Sequence, residues 1–61
     1  MNAAKVYDLH NKADRLFGEA GALLREFRRP ENIPQPERNE YYRLTRDARE
    51  ARNKAEKEER S

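Results

Sequence analysis

The chain has 61 residues, 43% of them charged and 34% hydrophobic, with no Cys and no Trp. Without Cys it has no disulfide, thiolate zinc site or iron–sulfur cluster, and a net charge of +2, left when 14 Lys plus Arg meet 12 Asp plus Glu, is too weak a field to imply nucleic acid by itself. A chain this short buries only about 60% of its unfolded surface, and this one is poor in apolar residues, so the expectation is that it folds on a second copy or on a partner.

Residues Met1 to Lys5 lead into no apolar run of the kind a signal peptide carries, and no stretch approaches the roughly 18 apolar residues that cross a bilayer. The expectation is a cytoplasmic protein with no membrane contact.

The first element is a helix expected over about 3 to 29. Val6, Leu9, Ala13, Leu16, Ala20, Leu23 and Phe27 step alternately by three and four, which is a heptad seam. Asn2 is placed to cap the helix, and Pro30 disfavours helical backbone at Arg29. Beside the seam runs a second line, Ala3, His10, Phe17 and Leu24, which makes the apolar stripe wider than one narrow partner helix covers. Gly18 and Gly21 sit inside the helix at a cost of roughly 1 kcal/mol each relative to alanine. Both fall off the seam, where they read as a smooth patch for another backbone. His10 and Asp14 share a face at i, i+4 spacing; one imidazole and one carboxylate make at most half a zinc site, so the reading is an ion pair and no metal.

Pro30, Pro34 and Pro36 then break the helical pattern, giving a turn over about 30 to 35. A second helix is expected over about 36 to 58, with Pro36 at its first position and Glu37 and Glu40 in the first turn. Its seam is Tyr41, Leu44, Ala48, Ala51 and Ala55. Beyond Ala55 the spacings Glu50–Lys54, Lys54–Glu58 and Glu56–Arg60 supply weak i, i+4 pairs without a core, so this end is expected to fray.

Two seams joined by a short turn predict an all-α, antiparallel two-helix hairpin in which facing residue numbers sum to about 68. The open end then pairs large residues of the first helix with alanines of the second. Dimerisation into a four-helix bundle through Val6, Leu9, Leu16, Phe17 and Leu24 would fill those layers.

Arg25, Arg28, Arg29, Arg38 and Arg43 gather at the turn end with Tyr42 nearby, and Glu26, Glu31, Glu37 and Glu40 offset much of their field. Arginine and tyrosine are the anchors of protein interfaces and also the means of gripping phosphates and stacking bases. Arg43, Arg46, Arg49 and Arg52 turn by about 60° at each step and spiral around the helix, which makes them a solvated surface. Ser61 is the only serine, His10 the only histidine, and Thr45 has no histidine near it in the hairpin, so no nucleophile has an oriented base. The expectation is a non-catalytic protein-binding module, an adaptor or inhibitor without a cofactor. It would contact a larger protein through the turn-end residues with Gly18 and Gly21. The alternative is a dimeric RNA- or DNA-binding regulator using the same arginines.

Overall fold

The structure, a computed structural model, describes residues 2–60. Two helices, α1 (Ala3–Phe27) and α2 (Gln35–Arg60), flank a single 3₁₀ turn at Pro30–Asn32 and pack as an antiparallel hairpin measuring 41 × 14 × 14 Å. The expected all-helical hairpin is therefore present.

α1 begins as its sequence predicts. Asn2 is extended (φ −103°, ψ 98°), and its side-chain oxygen accepts the Lys5 N–H at 3.1 Å, satisfying a donor that has no partner within the helix.

The other end of α1 differs from the expectation by two residues. Arg28, not Pro30, ends the helix, because its backbone adopts φ 71°, which no regular helix continues. The last carbonyl, that of Phe27, is then taken by the Asn32 side chain at 3.2 Å. α2 opens at Gln35, where the Pro34 carbonyl accepts the Arg38 N–H at 2.8 Å, and it continues to Arg60.

Ile33 was absent from both seams, yet it is completely buried and has the largest fully buried side chain among the described residues. It sits in the turn, where burying a branched side chain anchors a segment that would otherwise be tethered only at its ends.

Leu16, Ala20, Leu44 and Ala48 form the central cluster, with Leu23 and Tyr41 packed against it. Ala13, Ala51 and Ala55 are also buried. Small alanines on both helices let the backbones approach closely around Leu16 and Leu44. Leu16 thus belongs to the hairpin's own core, as its place in the seam predicts, although it was also expected at a dimer face.

The open end is tied across the two helices. Lys5 Nζ lies 3.6 Å from a Glu58 carboxylate oxygen, and His10 Nε2 lies 3.0 Å from Glu59 Oε1. Where fraying was expected, α2 is helical through Arg60; the expectation for Ser61 lies outside the described residues. Of the three i, i+4 pairs expected there, Glu56–Arg60 closes, at 4.0 Å. No helix among the described residues is long and apolar enough to cross a membrane.

Candidate interaction surface

The five turn-end arginines do not form one free cluster. Arg38 is half-buried and serves the turn itself, with Nε donating to the Ile33 carbonyl at 3.2 Å and Nη2 to the Glu31 carbonyl at 3.1 Å. Arg43 is gripped by Glu40 through two side-chain hydrogen bonds and reaches Asp47 at 3.7 Å. The hydrogen bonding and negative charge of Glu40 raise the Arg43 pKa above its ordinary value. Arg29 lies 3.9 Å from Glu31. Arg25 and Arg28 remain exposed.

Tyr42 keeps 56% of its surface exposed and meets Tyr41 edge to face, ring centroids 5.6 Å apart. The two tyrosines open a shallow depression of about 530 Å³ along α2, bounded by Pro30 and continued by Thr45, Arg46, Arg49, Glu50 and Asn53. The Thr45 hydroxyl donates to the Tyr42 carbonyl at 3.1 Å, which holds that hydroxyl against its own helix. Arg46 and Arg49, read from sequence as part of a solvated spiral, border this depression. The spacing Tyr42, Arg46, Arg49, Asn53 could have shown it, since those residues recur at alternating steps of four and three on one face.

On α1 the charges are unevenly distributed, with Asp14 and Arg25 on the less charged side. At about 100° per residue, Lys5, Asp8, Lys12, Arg15, Glu19 and Glu26 fall to one side of the core stripe. Val6, Tyr7, His10, Phe17, Gly21 and Leu24 fall to the other. Tyr7 is 67% exposed and Phe17 38%. Val6, Leu9 and Leu24, expected at a dimer interface, are half-buried. A Cβ built on Gly18 or Gly21 would meet nothing within 4 Å, so neither glycine is required by packing inside the hairpin.

The His10–Asp14 pair is not made. His10 reaches Glu59 instead, and Asp14 receives Arg52 Nη2 at 2.6 Å. Both carboxylate and imidazole find partners on α2 because they lie beside the seam, where the facing helix is nearer than the next turn. Arg52 also lies over the Phe17 ring at 5.6 Å, and its Nε is buried without an acceptor. Among the described residues no group of three His, Asp or Glu could hold a metal ion. Compared with protein families, curated proteins and solved structures, the chain finds no match.

Proposed function

We propose that this hairpin is a small, non-catalytic, cytoplasmic protein-binding module, an adaptor or inhibitor that offers a helical surface to a larger protein. The observation that carries the reading is the internal engagement of the arginines. Arg38 holds backbone carbonyls, and Arg29 and Arg43 are paired with acids, which leaves a mixed aromatic and cationic surface with too little unpaired charge to track a phosphate backbone. Exposed Tyr42 beside Arg46 and Arg49 is interface chemistry: a large amphipathic ring with planar donors around it. Self-association into a four-helix bundle belongs to the same reading, because α1 keeps aromatic surface outside the hairpin's core.

A second reading, a dimeric regulator that binds RNA or DNA, draws on Arg25 and Arg28, which stay exposed as Tyr42 does. The deciding experiment is a pull-down from the source organism with and without nuclease, comparing the natural chain with Tyr42→Ala and Arg49→Ala. We expect a protein captured regardless of nuclease and lost from both variants. Capture abolished by nuclease would transfer the assignment to the second reading.

A further inference from the structure

We infer that a second copy of this chain docks antiparallel across the flank of α1 that carries Tyr7, Phe17, Gly21 and Leu24, with Tyr7 of each copy over Leu24 of the other. The inference rests on the self-association proposed above and adds its face, direction and register.

The flank is the less charged of the two exposed sides of α1. Against six charged residues on the opposite flank this one has three: Asp14, which Arg52 pairs at 2.6 Å while lying over the Phe17 ring, and Arg25 and Arg28 at the turn end. Two of the three large exposed hydrophobic residues, Tyr7 and Phe17, lie on it. The flank is also periodic. From Ala3 through Tyr7 and His10, then Asp14 and Phe17, to Gly21, Leu24 and Arg28, the steps alternate four and three. This is a second heptad seam parallel to the one that closes the hairpin.

A two-fold axis makes such a face pair with itself, and the register follows from overlap. Antiparallel alignment of the full seam sets Tyr7 opposite the partner's Leu24, His10 opposite the partner's Gly21, and Asp14, paired with Arg52 of its own chain, opposite the partner's Phe17 beside the axis. The empty space around Gly21 admits an imidazole there. A slip of one heptad in either direction leaves Tyr7 or Leu24 without a partner. A parallel pair would set Asp14 against the partner's Asp14 and Arg28 against the partner's Arg28. One long face of the hairpin, 41 by 14 Å, offers about 570 Å² per copy and about 1,150 Å² in total, close to the lower bound of specific interfaces. The dimer is accordingly expected to be weak, with a dissociation constant in the micromolar range.

The chain has no Cys, so engineered cysteines report the register directly. Tyr7→Cys and Leu24→Cys chains, each confirmed helical by circular dichroism, are oxidised separately and as a mixture, while sedimentation equilibrium measures association of the natural chain. We expect a disulfide-linked dimer from the mixture at several times the yield of either chain alone, because like positions stand about 25 Å apart in the antiparallel pair. Gly21→Arg, which the open space around Gly21 accommodates in the hairpin, should weaken association at least tenfold. Cross-linking of Tyr7→Cys with itself, or a dimer that no pairing cross-links, would overturn the register while leaving self-association intact. A monomer at millimolar concentration would remove both.

Discussion

Arg38 and Arg25 are the same residue type in the same part of the sequence, yet they differ in what they hold. Arg38 reaches back to the carbonyls of Ile33 and Glu31 and closes the turn with a planar fork. Lysine cannot reproduce that geometry. Arg38→Lys is therefore expected to lower stability by about 1 to 2 kcal/mol, whereas Arg25→Lys should stay within about 0.5 kcal/mol, both read from urea denaturation. The sequence could not separate the two, because the convergence of carbonyls on Arg38 depends on the 3₁₀ turn and on the positive φ of Arg28. Nothing in the identity of Arg28 announces that backbone, since such a position ordinarily favours glycine. Gly18 presents the opposite case: its helix position was legible, and no positive φ or close neighbour requires a glycine there. Gly18→Ala should raise stability by about 0.5 to 1 kcal/mol in the same assay. A loss of stability instead would mean that the outer face of α1 is occupied.

At the scale of the helices, the heptad steps carried most of the fold. The seam residues Ala13, Leu16, Ala20, Leu44, Ala48, Ala51 and Ala55 are buried and Val6, Leu9, Leu23, Phe27 and Tyr41 half-buried, because a three–four repeat keeps one stripe against a neighbour. The cap at Asn2 was equally readable, since it depends on one side chain and one amide three residues away. Ile33 was not, because burial in a turn has no period to reveal it. The cross-helix ties of the open end were not legible either, since the partners of Glu58 and Glu59, Lys5 and His10, lie on the other helix and are remote in sequence. Alanine at the centre of the seam fixes how closely the helices approach. Ala48 is fully buried, so Ala48→Leu would force the helices apart and should cost about 1 to 3 kcal/mol despite adding apolar surface, measured as a lower thermal midpoint.

For the molecule as a whole, the sequence has few apolar residues, and the structure leaves three of the large ones, Tyr7, Phe17 and Tyr42, exposed. The candidate site was legible only in part. Tyr42 and the turn-end arginines could be named, but not their division between internal bonds and free surface, nor the place of Arg46 and Arg49 beside Tyr42. Leu16, read both as a seam residue and as part of a dimer face, is buried in the hairpin's core. If two hairpins complete one another, the thermal midpoint should rise by several degrees for each hundredfold increase in concentration, as scanning calorimetry would record. A midpoint independent of concentration would leave the hairpin as a self-sufficient monomer.

The uneven distribution of side-chain size along the seam has a consequence for the order of events in folding. Ile33, Leu44, Leu23 and Tyr41 lie toward the turn, while beyond Ala48 the second helix contributes only Ala51 and Ala55 to the buried seam. Contacts at the turn also close the shortest loop, so they lose the least chain entropy on forming. The hairpin should therefore zip from Ile33 outward and open from its termini inward. Native-state hydrogen exchange should register this as a gradient, with amides from about Leu44 to Ala48 exchanging only through global unfolding and those beyond Ala55 through local opening of lower free energy.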